Sequence, residues 1–197
     1  MTIGPDRDIT VRIYDSRLKT VHTSAKVDKD LNCSLGVEVD IEGEGEAVEW
    51  EVSLINESGK VIKQERTSNK KVNWELEDME LWWSVGEGSP TRYTVKVDLL
   101  AGSGSSTVID TLIRKIGFRR IELVQDPLQG QKGTSFYFKI NNKRIFIGGS
   151  NWIPIDTVQS RGTDSKFKRW IEMLVSQITS HSSQVTAHYP TSHRTHV

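Results

Sequence analysis

Apolar residues recur at every second position through most of residues 9–119. Three runs show the pattern most clearly: Val37, Val39 and Ile41; Trp50, Val52 and Leu54; and Tyr93, Val95, Val97 and Leu99. Successive side chains of a β-strand point to opposite faces, so a period of two puts one apolar row on one face and polar side chains on the other. The pattern is typical of half-buried antiparallel strands.

Turn-forming segments separate these runs. Residues 42–45, 56–59, 86–90 and 102–106 are rich in glycine and serine, with an asparagine and a proline among them. These residue types tolerate a positive φ or fix a bend. About seven short strands within roughly 100 residues match the size of an immunoglobulin-like domain. The sequence therefore predicts a mainly β chain built on an immunoglobulin-like β-sandwich.

The pattern changes after Pro127. Residues 135–140 alternate as a strand, Asn141 and Asn142 form a turn, and residues 144–149 are an apolar run typical of a strand covered on both faces. Residues 164–175 then carry apolar side chains at helical spacing, with Thr163 or Asp164 available as N-cap. This order predicts the first β/α unit of an incomplete (β/α)8 barrel, since a whole barrel needs about 250 residues.

Composition and charge bear on the order of the tail, the partners of the chain, its disulfides and its location. Residues 176–197 are mostly Ser, Thr, Gln and His, which predicts a disordered tail. The 26 basic and 26 acidic side chains give no net field, so neither nucleic acid nor membrane is indicated as a partner. Cys33 is the single cysteine and cannot form an intrachain disulfide. No apolar run approaches the roughly 18 residues of a membrane span, and no signal-peptide pattern begins the chain, which favours a cytoplasmic location.

Three segments carry a family resemblance. Residues 81–93 contain a Trp-Trp pair and a Gly-x-Gly loop, residues 115–123 contain Gly-Phe-Arg and then Ile-Glu-Leu, and residues 136–156 combine the hairpin with Asn-Trp-Ile-Pro. In this order and spacing they resemble glycoside hydrolase family 2 of the β-mannosidase type. A softer match at Gly4-Pro5 and residues 11–17 resembles the last strand of that family's N-terminal sugar-binding jelly roll.

The resemblance implies a domain organisation. Residues 1–18 correspond to the last jelly-roll strand and its linker, residues 19–122 to the immunoglobulin-like sandwich, and residues 123–175 to the start of the catalytic TIM barrel. Residues 176–197 have no counterpart. The chain is thus expected to be an internal fragment of a longer protein.

The resemblance also implies an activity for that longer protein. It is the hydrolysis of terminal β-D-mannose from oligosaccharides with retention, without metal or organic cofactor. Retention uses two carboxyl groups about 5 to 5.5 Å apart, here an acid/base and a nucleophile glutamate. The family places both after later barrel strands, so we expect no catalytic residue and no activity in this chain. The partner of the longer protein is a β-mannoside oligosaccharide, and the open barrel strand is expected to promote self-association of the fragment.

Substrate-binding candidates follow from the position of three residues. Asn151, Trp152 and Asp156 come at the expected C-terminal end of barrel strand one, the face on which barrel active sites are built. One interpretation is that they line the mannoside pocket, with Trp152 as a platform for the sugar ring. The other is that Trp152 packs under the barrel rim and Asp156 caps the next turn. Both interpretations stay open from the sequence.

Other candidate sites favour structural roles. Trp82 and Trp83 could stack on sugars, but core packing of one of the two is the favoured interpretation, as it is for Trp50 and Trp74. The histidines of the tail lack the fixed spacing of metal ligands, and no metal site is predicted. A different class of function, a non-catalytic immunoglobulin-like interaction module, also fits the chain. Whether the parent prefers mannose, galactose or glucuronate is left open, although Asn-Trp-Ile-Pro favours mannose.

Overall fold

The computed structural model describes residues 9–43, 49–147, 151–158 and 161–188, with side chains described up to Ser176 in the last range. Residues 1–8, part of the predicted jelly-roll strand, lie outside the described residues, as does the tail after His188. The chain divides into two compact units. One is Val11–Gly148, and the other combines Met1–Thr10 with Gly149–Val197.

Seven antiparallel strands form the sandwich, which confirms the prediction from the alternating pattern. They are β1 (Ser16–Val27), β2 (Cys33–Gly43), β3 (Trp50–Ile55), β4 (Val61–Thr67), β5 (Lys71–Leu76), β6 (Tyr93–Leu100) and β7 (Val108–Ile116). One sheet has the order β1-β2-β5 and the other β4-β3-β6-β7. The order within each sheet is that of an immunoglobulin-like fold.

The inward rows of the two sheets meet in one core. Trp50 lies opposite Leu99 in the larger sheet, and Leu35 lies opposite Trp74 in the smaller sheet. All four side chains are buried, as predicted for the two tryptophans. The indole N–H of Trp50 donates to the Asn69 carbonyl at 2.8 Å, so its one polar atom is paired within the core. Burial of alternate side chains therefore determines which face of each strand points inward.

Polar contacts tie the open edges of the sandwich. The backbone N–H of Leu18 in β1 donates to the Asp110 carboxylate in β7 at 2.8 Å. At the opposite edge, the indole N–H of Trp74 donates to the Glu65 carboxylate at 2.6 Å. Each bond joins strands of different sheets, so the two sheets are linked at both sides as well as through the core.

A third sheet follows the sandwich in the same compact unit. It consists of β8 (Ile121–Val124), β9 (Tyr137–Ile140) and β10 (Lys143–Ile145), all antiparallel, with β9 in the middle. Asn141 and Asn142 form the turn between β9 and β10 and have φ angles of 48° and 67°. Two positive φ values are typical of a type I′ hairpin turn, for which asparagine is well suited. The turn predicted from the Asn-Asn pair is therefore confirmed.

The predicted strand over residues 144–149 is wrong in its extent and its burial. Only Lys143–Ile145 is a strand, Phe146 is 95% exposed, and Gly148 and Gly149 lie outside the described residues. Coverage of both faces requires neighbours that the described residues do not supply, since β10 pairs only with β9 there. The start of a barrel is thus not confirmed, and it remains a prediction together with self-association through this strand.

The helix α1 (Asp164–His188) belongs to the second unit. Thr163 is its N-cap, because its hydroxyl oxygen accepts the backbone N–H of Lys166 at 3.4 Å. The predicted start is confirmed, but the helix continues through the first part of the segment predicted as disordered. No glycine or proline interrupts residues 176–188, and Pro190 follows shortly after the end. No helix in the described residues is long and apolar enough to cross a membrane.

Candidate functional site

A groove of about 570 Å³ lies between residues 151–155 and helix α1. The residues that line it are Asn151, Trp152, Ile153, Pro154, Ile155, Trp170, Met173 and Leu174. Trp152 and Trp170 are 46% and 50% exposed, so both indoles are partly open to solvent. The extended segment lies against an apolar stripe of the helix, whose residues recur at helical spacing.

Two of the three substrate-binding candidates line this groove. Asn151 and Trp152 are on its wall, whereas Asp156 is not. The Asp156 carboxylate accepts the backbone N–H of Val158 at 2.9 Å and the Lys166 ammonium at 3.2 Å. These contacts match the interpretation in which Asp156 caps a turn. The role of all three residues in sugar binding remains a prediction.

The electrostatics of Asp156 also favour a structural role. The hydrogen bond from the Val158 backbone lowers its pKa most, and the hydrogen bond from Lys166 lowers it further. A carboxyl group with a lowered pKa is ionised at neutral pH and is a poor proton donor. Among the described residues that line the groove, none carries a carboxyl, hydroxyl, thiol or imidazole group. It can accommodate an apolar surface, but these lining residues cannot perform acid–base or nucleophilic chemistry.

The other sequence motifs meet at Trp82, far from that groove in sequence. The backbone N–H of Trp82 donates to the Phe118 carbonyl at 2.8 Å. A Cβ atom on Gly117 would lie only 3.0 Å from the Trp82 side chain, and the Arg119 guanidinium lies 4.5 Å from the centre of its ring. Glycine at position 117 permits this close packing, where a Cβ atom would require Trp82 to shift, and the arginine covers the ring face. The Trp-Trp and Gly-Phe-Arg motifs form one packed joint.

The second tryptophan packs on its own loop. A Cβ atom on Gly88 would lie 2.8 Å from the Trp83 ring, and the backbone N–H of Trp83 donates to the Ser89 carbonyl at 3.0 Å. Both Trp82 and Trp83 are half-buried and neither belongs to the buried core, so the prediction that one of the two packs there is wrong. The segment is an irregular loop with an isolated bridge to Pro90, and strand alternation does not apply to it.

The hairpin motif reaches the same joint through Asn141. Its side-chain N–H donates to the Trp82 carbonyl at 3.0 Å, and its side-chain oxygen accepts the backbone N–H of Arg120 at 2.9 Å. A nearby ion pair between Lys143 and Glu87, 2.7 Å apart, links the hairpin to the Trp-Trp loop. The sequence interpretation assigned Asn141 to a turn and missed this contact. The Asn-Asn pair in the predicted turn was the one signal available in the sequence.

The described residues bring together no group of three or more His, Cys, Asp or Glu side chains that could hold a metal ion. Cys33 is buried, and burial raises the pKa of its thiol. The arrangement of residues thus points to packing and positioning in the sandwich unit, and to an open apolar groove in the other.

Comparison with known proteins identifies the family. Residues 5–119 match the model of the glycosyl hydrolases family 2. This match covers more than half of the chain and includes the sandwich and the Trp82 joint. The chain belongs to glycosyl hydrolase family 2, as its three motifs indicated.

Individual relatives agree with this assignment. The chain is 35% identical to beta-mannosidase B of Thermothelomyces thermophilus over 88% of its length and 20% of the relative's. It is 30% identical to beta-mannosidase B of Aspergillus terreus over 89% of its length and 21% of the relative's. The chain spans about a fifth of the length of the curated relatives it matches.

Solved structures show the same fold. The β-D-mannosidase of Dictyoglomus thermophilum matches with a TM-score of 0.65 at 26% identity, covering 78% of this chain and 19% of that one. The β-glucuronidase of Parabacteroides merdae matches with a TM-score of 0.64 at 17% identity, covering 81% of this chain and 20% of that one. At the lower identity the likeness concerns the fold alone.

Proposed function

We propose that this chain is a non-catalytic part of a retaining β-mannosidase-type glycoside hydrolase. The longer protein would remove terminal β-D-mannose residues from oligosaccharides, with the sandwich as a structural module beside the catalytic domain. The observation that carries the proposal is the 35% identity to a beta-mannosidase B, which extends over 88% of the chain. The Asn-Trp-Ile-Pro segment at residues 151–154 also supports the proposal, because it favours mannose over galactose or glucuronate as the substrate of the longer protein.

Four carboxyl groups of the chain support the expectation that it has no activity by itself. A retaining glycosidase needs a general acid whose pKa is raised and a second carboxylate about 5 to 5.5 Å away. Asp28, Glu42, Glu49 and Asp156 have pKa values shifted downward, each by hydrogen bonds to its carboxylate. Such groups stay ionised at neutral pH and do not provide the acid.

The test compares two proteins. The transcript is sequenced across the codons for Val175 and Ser176, and any longer reading frame is expressed beside the 197-residue chain. Both are assayed with aryl β-mannoside, β-galactoside and β-glucuronide. We expect turnover of the mannoside by the longer protein and none by this chain above a vector-only control.

Other outcomes discriminate among the alternatives. Turnover by the 197-residue chain itself contradicts its non-catalytic role. A longer protein that prefers the galactoside or glucuronide contradicts the mannosidase assignment but not the family. A transcript that stops after the codon for Val197 favours an immunoglobulin-like interaction module instead.

A further inference from the structure

The sheet β8–β9–β10 is too small to be stable by itself. Its strands are four, four and three residues long. Such short strands need packing against another element. Val124, Ile140 and Ile145 are its buried apolar side chains. What holds this sheet to the sandwich therefore decides whether the two behave as one body.

One buried side chain makes a polar connection, beside the more exposed Lys143–Glu87 ion pair and Asn142–Lys29 hydrogen bond. Asn141 is 4% exposed, and its amide is paired on both sides: the oxygen accepts the Arg120 N–H at 2.9 Å, and the nitrogen donates to the Trp82 carbonyl at 3.0 Å. The backbone N–H of Asn141 also donates to the Arg120 carbonyl at 2.9 Å. Two of these hydrogen bonds thus join the hairpin turn to Arg120, the residue before β8, and the third joins it to the Trp-Trp loop.

The chemistry at this position selects asparagine. Its φ of 48° lies in the left-handed region, which glycine and asparagine adopt readily and most residues avoid. Glycine would fit the turn but would leave the Trp82 carbonyl and the Arg120 N–H without their side-chain partner. Aspartate could accept from Arg120 but, when ionised, could not donate to Trp82. Of these three residues, only asparagine satisfies the backbone angle, the donor and the acceptor together while aspartate is ionised.

On the sandwich side of the connection, Trp82 is tied to the core by several contacts. Trp82 is held by the Phe118 carbonyl, by close packing on Gly117 and by the Arg119 guanidinium over its ring. Phe118 is fully buried in the sandwich core. A bond to the Trp82 carbonyl is therefore a bond to the core of the sandwich.

We propose that Asn141 is a lock that couples the β8–β10 sheet to the sandwich, so that the two open and close as one cooperative unit. The coupling depends on the hydrogen bond donated by the Asn141 amide to Trp82, and not on the turn conformation alone. Asn142 provides the matched control. It also has a positive φ, 67°, and its side-chain amide donates to the Lys29 carbonyl at 2.9 Å, but at an exposed site.

The test is amide hydrogen exchange of the whole chain, followed by NMR. In the wild type, amides of β9 and β6 are expected to exchange with the same opening free energy. Asn141→Gly and, at neutral pH, Asn141→Asp should lower the protection of β9 about ten- to hundred-fold relative to β6, because a buried donor or acceptor loses its partner. Asn142→Gly should leave the ratio unchanged.

Measuring β9 protection at low pH distinguishes loss of the donated hydrogen bond from a change in packing. When the carboxyl group introduced by Asn141→Asp is protonated, its O–H can donate to the Trp82 carbonyl, so β9 protection should recover at low pH after correction for intrinsic exchange. Nearby charged groups are Arg120 with Glu122, Arg119 over Trp82, and the Lys143–Glu87 pair. All of these are present in Asn141→Gly, which therefore serves as the baseline and should show no recovery.

Several results would contradict the proposal that Asn141 couples the β8–β10 sheet to the sandwich. In the wild type, β9 amides that already exchange faster than β6 amides would show that no coupling exists. Equal loss of protection in β6 and β9 in the Asn141 variants would indicate general destabilisation. Full protection in Asn141→Asp at neutral pH, or recovery of Asn141→Gly in acid, would show that the donated hydrogen bond is not responsible.

Discussion

Tyr93 shows how a single hydroxyl group stabilises the sandwich. It begins β6, its ring lies edge-on to Phe118 with 5.4 Å between ring centres, and its oxygen accepts the Glu80 N–H at 2.9 Å. The hydroxyl also lies 3.4 Å from the Glu80 carbonyl, to which it can donate. A tyrosine in this position, bonded to an upstream backbone segment, is a feature of immunoglobulin-like sandwiches. Burial raises the pKa of this phenol, so the hydroxyl stays protonated at neutral pH.

Replacing Tyr93 by phenylalanine tests that contact. Tyr93→Phe keeps the ring but leaves the Glu80 N–H without its partner, so the free energy of unfolding should fall by about 1–3 kcal/mol. Urea denaturation at constant slope measures the loss. Tyr14→Phe is the control, since that hydroxyl donates to Glu42 at an exposed site and should change stability by less than about 0.5 kcal/mol. Equal effects of the two substitutions would contradict the role of Tyr93.

Cys33 provides a second test at this scale. Its thiol is buried, and burial raises its pKa, so little thiolate is present at neutral pH. We expect a disulfide reagent such as Ellman's reagent to react slowly with the native chain and quickly in denaturing urea. The ratio of the two rates measures opening of the sandwich around β2. Fast reaction of the native chain would show that this end of β2 is not buried in solution.

At the scale of elements, Glu49 anchors two segments next to β3. Its carboxylate accepts the Gly104 N–H at 3.1 Å, the Ser103 hydroxyl at 3.2 Å and the Arg66 guanidinium at 2.7 Å. The hydrogen bond from the Gly104 backbone lowers its pKa most, followed by that from Arg66. The β6–β7 loop and β4 are thus held by one ionised group.

A pH dependence of stability follows from this anchor. Because the folded-state pKa is below the ordinary value of 4.5, Glu49 stabilises the fold at neutral pH, and this contribution is lost as pH falls below 4.5 through the folded pKa. Glu49→Gln should lower the melting temperature at neutral pH, with a difference from wild type that shrinks in acid. Glu77→Gln, at an exposed position, is the control. A difference that stays constant with pH would contradict the ionic contribution.

The limits of α1 and β10 depend on different causes. The helix α1 begins where Thr163 caps it, a local signal, but it passes Val175 because nothing in residues 176–188 stops it. The strand β10 ends at Ile145, although Phe146 and Ile147 continue the apolar run. Local sequence determined the beginnings of these elements, whereas the available neighbours determined where the strand ended.

At the scale of the whole molecule, the compact unit Val11–Gly148 extends beyond the predicted sandwich boundary at residue 122. The domain limits themselves remain predictions. The contacts of Asn141 with Trp82 and Arg120 give a physical reason for the longer unit, since they bind the hairpin to the sandwich.

Truncation tests the extent of this unit. A fragment of residues 11–147 should melt in one cooperative transition. A fragment of residues 11–122 lacks β9, β10 and Asn141, so it should be less stable by about 1–3 kcal/mol, the net contribution of the two hydrogen bonds that the Asn141 side chain makes to Trp82 and Arg120. Thermal melts followed by circular dichroism compare the two. If the shorter fragment is as stable as the longer one, the hairpin sheet contributes nothing to the sandwich.

The sequence by itself determined the fold class and the family. Alternation with period two specifies which face of each strand is buried, so the pattern alone assigns Trp50, Val97 and Leu99 to the core. The Trp-Trp and Gly-Phe-Arg motifs, being local patterns, were likewise visible. Only the tertiary structure decided that these motifs meet at Trp82, that Asn141 completes the joint, and that Asp156 caps a turn beside Lys166. The first two outcomes depend on contacts between segments distant in sequence, and the third depends on the local conformation of residues 156–166. Periodicity carries no information about which donor meets which acceptor.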